Sequence, residues 1–179
     1  LWKKVLGLFL RWKNLLILDM HEKRIFLTCS HLLLLLAITC TFFSMVHLSY
    51  ADVIDVPQDY PTIQQAIDAA SAGDTIQVNR RPDESQSIYY ERLLIGKELT
   101  LVGESRETIV VDGSGAGSVI RIQAENVEIR GFTIRNGGRK YGGIRANGYS
   151  YVTVANNTLE ANKQGVVLPN SNYNTVVQN

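Results

Sequence analysis

From residue 120 onward, apolar and polar residues alternate in short runs. Ile120 and Ile122, Val127 and Ile129, Phe132 and Ile134, Val152 and Val154, then Val166 and Leu168 would point one way, with Arg121, Glu128, Arg130, Thr133, Arg135 and Thr153 pointing the other. A period of two predicts β-strands with one dry and one wet face. The runs also recur. Val127-Glu-Ile-Arg-Gly-Phe-Thr-Ile-Arg-Asn-Gly137 returns, loosened, as Val152-Thr-Val-Ala-Asn-Asn-Thr-Leu-Glu-Ala-Asn162, and starts again at Thr175-Val-Val-Gln-Asn179. Pairing Val127 with Val152 gives a period of about 25 residues and pairing Val154 with Val177 about 23, the range of solenoid coils. Strands this short cannot bury an apolar face alone, but coils stacked about 4.8 Å apart pair their backbones and share one interior. Asn136, Asn156, Asn157, Asn162 and Asn179 cluster where the chain must turn. Asn tolerates left-handed backbone angles, and Asn stacked on successive coils can form side-chain ladders.

Upstream, the periodicity changes from 3.6 to 2. Thr62 is placed to cap a helix with Gln65 reaching back, and Ile63, Ala66, Ile67 and Ala70 make one apolar face. This helix should stop at Gly73 and cover the open end of the stack, which otherwise presents unpaired backbone groups. Strands follow at Asp74 to Val78, Arg92 to Ile95, Leu99 to Val102, Thr108 to Val111 and Val119 to Gln123. Between Val78 and Tyr89 the polar Asn79-Arg-Arg-Pro-Asp-Glu-Ser-Gln-Ser87 reads as an exposed loop.

The first 51 residues have a different character. Met20-His-Glu-Lys-Arg24, the apolar run Leu32 to Val46 and Ser49-Tyr50-Ala51 fit a signal peptide over 20–51, cleaved before Asp52; an uncleaved anchor from Ile25 to Val46 is the alternative. Residues 1–19 precede that methionine and read as an upstream extension. Cys29 and Cys40 both fall in the signal segment, so residues 52–179 can form no disulfide. The formal net charge of +1 conceals an asymmetry, because 12 basic and 15 acidic residues follow Ala51. A mildly acidic body gives no general nucleic-acid signal, and contact with a membrane is expected only through the signal or anchor segment.

Asp59-Tyr-Pro-Thr-Ile-Gln-Gln-Ala-Ile-Asp-Ala-Ala70, Gly73-Asp-Thr-Ile-Gln-Val78 and Leu99-Thr-Leu-Val-Gly103 resemble the opening of right-handed parallel β-helix proteins of the pectin-lyase-like superfamily, pectin methylesterases among them. Gly142-Gly-Ile-Arg145, Val154-Ala-Asn-Asn-Thr-Leu159 and Gln164-Gly-Val-Val-Leu168 resemble the NosD-type β-helix repeat. The resemblance implies an all-β, right-handed parallel β-helix over 52–179 with an N-terminal capping α-helix, and the half-repeat at Thr175 to Asn179 reads as a solenoid truncated at its C-terminal end. The motifs that carry pectin methylesterase chemistry have no match in this sequence, so no catalytic residue is transferred.

The residues themselves point away from catalysis. His21, His31 and His47 all precede Asp52, which excludes Ser-His-Asp chemistry from 52–179, and Glu125, Glu128 and Glu160 do not recur at one coil position. NosD-type proteins are associated with copper-enzyme maturation, yet His, Cys and Met are all absent after Ala51, and the scattered Asp and Asn residues make no dense calcium-ligand run. Neither a metal nor another cofactor is therefore expected. The suggestive feature is basic. Arg121 and Arg145 lie about one coil apart and should stack on one outer strip; Arg130, Arg135, Arg139 and Lys140 share the segment, and Tyr141, Tyr149, Tyr151 and Tyr173 lie in turns nearby. Guanidinium groups beside tyrosine rings suit an acidic polysaccharide. The carbohydrate-contacting candidates are Arg121, Arg130, Arg135, Arg145, Tyr141 and Tyr151. The reading is a secreted, periplasmic or cell-surface β-helix module, a non-catalytic carbohydrate binder or scaffold. Its alternatives are the N-terminal part of a pectinesterase- or lyase-like polysaccharide-processing enzyme whose active site would lie beyond residue 179, and a NosD-like periplasmic accessory protein.

Overall fold

The computed structural model describes residues 50–138 and 142–179; the expected signal peptide, apart from its last two residues, and Arg139, Lys140 and Tyr141 lie outside the described residues. Strand β1 (Val53–Val56) precedes helix α1 (Ile63–Ala69). Then come β2 (Thr75–Val78), β3 (Ser87–Tyr89), β4 (Leu93–Ile95), β5 (Leu99–Gly103), β6 (Ile109–Asp112), β7 (Ile120–Ile122), β8 (Val127–Arg130), β9 (Thr133–Arg135), β10 (Ile144–Ala146), β11 (Thr153–Ala155), β12 (Thr158–Glu160), β13 (Val166–Val167) and β14 (Thr175–Val177). From β2 on, successive strands visit three sheets in rotation: β1-β2-β5-β8-β11-β14, β3-β6-β9-β12 and β4-β7-β10-β13. Every pairing is parallel. The described residues thus form a parallel β-helix with one short helix near its N-terminal end.

Register turns the sequence alternation into rows along the solenoid. In the first sheet Ile76, Leu101, Ile129 and Val154 align and are wholly buried. In the third, Leu93, Ile120 and Ile144 do the same. Each such side chain contributes about 1.5–3 kcal/mol by leaving water. The coils are unequal. Thr100 aligns with Glu128 and Glu128 with Thr153, whereas Thr153 aligns with Thr175 after only 22 residues. Val154 therefore pairs with Val176, and the expected pairing with Val177 is one residue out; Val177 lies on Ala155. A slip of one residue moves a side chain to the opposite face of a strand.

Two glycines permit the close stacking of coils at the end of the first sheet. Gly103 and Gly131 lie one above the other, Gly131 at φ +82°, and a Cβ on either would collide with the backbone of the other. Asn156 at the same corner, and Asn136 after β9 in the second sheet, adopt the left-handed conformation expected of turn asparagines. Asn157 instead points inward and is fully buried. Its amide donates to Ile129 O and Ala155 O, both at 3.0 Å, and its Oδ1 accepts from Phe132 N at 3.1 Å. Asn179, one coil on, accepts from Asn157 N at 3.0 Å and donates to Val154 O at 2.9 Å. This is the expected asparagine ladder, used to satisfy backbone groups that turn away from the sheets.

The helix ends at Ala69, earlier than Gly73, because Ala70 already has extended backbone angles. Thr62 Oγ1 accepts from Gln65 N at 3.3 Å as expected, and the remaining first-turn donors are met from outside the helix. Glu91 accepts from Ile63 N at 3.1 Å and Gln64 N at 2.9 Å, a carboxylate at the positive end of the helix. At the other end Lys97 Nζ donates to Asp68 O at 3.1 Å and Ala70 O at 2.6 Å. The Gln64 amide accepts from Leu94 N at 2.8 Å and donates to Leu94 O at 3.3 Å, so a side chain occupies the place of a missing neighbour to edge strand β4.

The loop from Val78 to Tyr89 is less open than expected, since its last three residues form β3 with Ser87 and Tyr89 buried. Ser87 Oγ donates to Glu84 at 2.6 Å and accepts from Arg81 N at 2.8 Å, which lets a polar residue face inward. Arg81 lies over the Tyr89 ring, 4.3 Å from its centre.

Outside the second sheet Asp112, Arg135 and Glu160 align in a row of alternating charge. Asp112 accepts from Arg135 Nε at 2.9 Å, from Asn136 Nδ2 at 2.8 Å and from Ser114 N at 2.9 Å, while Glu160 lies 3.8 Å from the Arg135 guanidinium. Burial pushes the Asp112 carboxyl up, but its bonds from Ser114, Arg135 and Asn136 outweigh that and hold it below its ordinary value of 3.8. A carboxyl more acidic folded than unfolded stabilises the fold above its unfolded value, and that stabilisation is lost as pH falls through the folded value. Asp112→Asn should therefore melt below the parent at neutral pH and converge on it below about pH 4; a gap that does not change with pH would contradict this account. Replacing Asn157 by Ala should cost at least about 2 kcal/mol in urea unfolding, because several buried backbone groups lose their partners together.

Candidate functional site

The basic candidates do not form one cluster, because the strands carrying them belong to three sheets. Arg130 ends β8 in the first sheet and is paired with Glu128 at 3.0 Å. Arg135 ends β9 in the second and is held between Asp112 and Glu160. Arg121 in β7 and Arg145 in β10 are brought together: they are direct partners in the third sheet, so the expected one-coil stacking is found. In-register parallel strands put the two about 4.8 Å apart at the backbone. Among the described residues neither has a carboxylate within ion-pair distance.

Two adjoining hollows that share the arginine pair form a shallow channel of mixed polar and apolar lining. A groove of about 480 Å³ is lined by Arg121 and Arg145 with Arg92, Leu94, Gly117 and Ser118. A second hollow of about 330 Å³ shares the two arginines and adds Gln123, Asn147 and Tyr149. Arg92 was not among the sequence candidates, and its own Nη1 donates to Ala116 O at 3.1 Å. Its signal was available, since Leu94 aligns with Arg121 and alternation then sends Arg92 outward two residues earlier. Gln123 and Asn147 carried no distinguishing sequence signal.

Tyr151 lies elsewhere. It stacks on Tyr173 with ring centres 5.2 Å apart and planes 12° from parallel, both rings exposed at the start of the first sheet's strands. The pair is one coil apart, and Tyr151 N donates to Asn172 O at 3.2 Å, so the stacking follows from register. Tyr149, in the same turn, packs partly against the core and also lines the second hollow.

Two described carboxyls are held in their anionic form. Glu107, beside Arg106 and Arg130 in a separate hollow, is held below its ordinary value, first by the Ser105 hydroxyl and then by its own backbone N–H and Arg106. Asp112 is shifted the same way. A carboxyl stabilised as its anion is poorly suited to give up a proton as a general acid.

The family model described as "Periplasmic copper-binding protein (NosD)" matches residues 63–179. No curated protein matches the chain. Among solved structures, a pectin methylesterase variant in complex with a hexasaccharide is similar at 19% identity and a TM-score of 0.51, over 69% of this chain and 48% of that one. Pectin methylesterase PemA from Erwinia chrysanthemi is 21% identical with a TM-score of 0.40, over 60% of this chain and 46% of that one. The chain thus spans about half the length of these enzymes, and the likeness is one of fold. Copper does not fit the matched residues: 63–179 contain no His, Cys or Met, and among the described residues no group of three His, Cys, Asp or Glu side chains is placed to hold a metal. No described helix is long and apolar enough to cross a membrane. With the coils from α1 to β14 all within the matched span, this chain belongs to the NosD family.

Proposed function

We propose that this chain is an exported, non-catalytic β-helix module that binds an acidic polysaccharide on the outer face of its third sheet. The observation that carries this reading is the uncompensated alignment of Arg121 with Arg145. Like charges directly opposite one another on a sheet destabilise it. On the other two sheets the outward strand arginines meet carboxylates, Glu128 for Arg130 and Asp112 with Glu160 for Arg135. On the third sheet it stacks two cations and leaves a channel over them. A polymer with repeated carboxylates relieves that repulsion, and guanidinium groups bind carboxylates through paired hydrogen bonds.

The periplasm named in the family's description supports export, in keeping with the signal-like residues 20–51. The fold likeness to pectin methylesterases supports the alternative of an N-terminal part of a polysaccharide-processing enzyme.

Affinity chromatography on an immobilised acidic polysaccharide tests the proposal. Arg121→Ala or Arg145→Ala should each weaken binding about tenfold, and the double substitution more, each lost charge-assisted bond being worth about 1.5–3 kcal/mol. Arg135→Ala, which removes a paired charge on another face, should leave retention unchanged. Retention that survives the double substitution would refute the site.

A further inference from the structure

The two hollows beside the arginine pair are chemically different, and their order along the strands gives the site a direction. Residues 117 and 118 precede β7 and line the first hollow, Arg121 and Arg145 belong to both, and Gln123, Asn147 and Tyr149 follow the strands and line the second. The channel therefore runs along the strands, across the arginine pair and transverse to the solenoid axis. Its first half is basic, with Arg92 added to the pair. Among the described residues its second half adds no further charge: two exposed carboxamides, a tyrosine ring and Ile122 line it.

That second half has the composition of a sugar-ring subsite. Tyr149 is partly buried against the hydrophobic core, so its ring is held in place while still lining the hollow. An aromatic ring supported on one side offers an apolar face at little cost in side-chain entropy. Gln123 and Asn147 each carry an amide donor and a carbonyl acceptor, the pair of functions that a vicinal diol can satisfy. Asn147 is steadied from the next coil, its Oδ1 accepting from Asn170 Nδ2 at 3.2 Å.

We propose that Tyr149, Gln123 and Asn147 form a second subsite that takes the hydroxylated ring next to the anionic group bound by Arg121 and Arg145. This rests on the acidic-polysaccharide reading and goes further. The arginine pair alone attracts any polyanion, whereas the second hollow selects a ligand whose charge is carried on a sugar. The ligand class is an acidic glycan, in preference to an equally charged chain without rings.

The test compares the full chain's affinity for a polyuronate with that for inorganic polyphosphate at one ionic strength. The parent should prefer the polyuronate by about tenfold or more. Gln123→Ala with Asn147→Ala, at exposed positions, should lower polyuronate affinity to the polyphosphate level while leaving polyphosphate binding unchanged. Tyr149→Ala should do the same, and Tyr149→Phe, which keeps the ring, should retain the preference. Because Tyr149 also packs on the core, the exposed double substitution decides the matter if Tyr149→Ala unfolds. Equal affinity of the parent for both probes, or substitutions that weaken both equally, would overturn the second subsite while leaving the arginine site standing. Failure of the parent to bind either probe would overturn both.

Discussion

Parallel hydrogen bonding between successive coils, in fixed register, is the constraint on which everything else in this molecule depends. It places residues one coil apart in direct contact, so a side chain acquires its neighbours from the repeat and not from the adjacent sequence. The buried row Ile76, Leu101, Ile129 and Val154 is one product of that rule. The stacked rings of Tyr151 and Tyr173 and the asparagine pair at 157 and 179 are others. Where the rule would leave an edge strand open, at β4, Gln64 of the helix supplies the missing donor and acceptor.

The same rule sorts charge. Register makes Asp112, Arg135 and Glu160 an alternating row on one sheet and makes Arg121 and Arg145 a like-charged pair on another. The first arrangement stabilises the solenoid by itself; the second is favourable only when an anion is shared between the two guanidinium groups. This contrast, within one fold and a few coils, separates the ion-paired arginines from the pair proposed to meet a ligand. It also moves attention away from copper, for which residues 63–179 hold no imidazole, thiolate or thioether, although the chain belongs to a family described as copper-binding.

The architecture was legible because alternation and repetition are properties of the chain itself. The α1 face, strands β7, β8, β9, β11 and β13, and the stacking of Arg121 on Arg145 follow from counting residues. Counting failed where coils change length: the 22-residue coil between Thr153 and Thr175 moved the partner of Val154 from Val177 to Val176. Strand β3 was hidden because Ser87 is polar, and only its bonds to Glu84 and Arg81 N let it face inward. Arg130 and Arg135 lay near Arg121 in sequence, but each intervening turn carries the chain to a new sheet, so proximity along the chain is a poor guide to proximity in space. Glu91 as a partner of the helix, 28 residues from Ile63, had no local signal at all.

Cross-linking tests the register most directly. In a background with Cys29→Ser and Cys40→Ser, the paired substitutions Arg121→Cys and Arg145→Cys put two thiols on directly opposed residues of parallel strands, at a backbone separation of about 4.8 Å that a disulfide spans. Mild oxidation should join them within one chain, whereas Arg130→Cys with Arg145→Cys, on different sheets, should stay reduced. Absence of the first bridge, or equal formation of both, would contradict the alignment on which the proposed binding face is built.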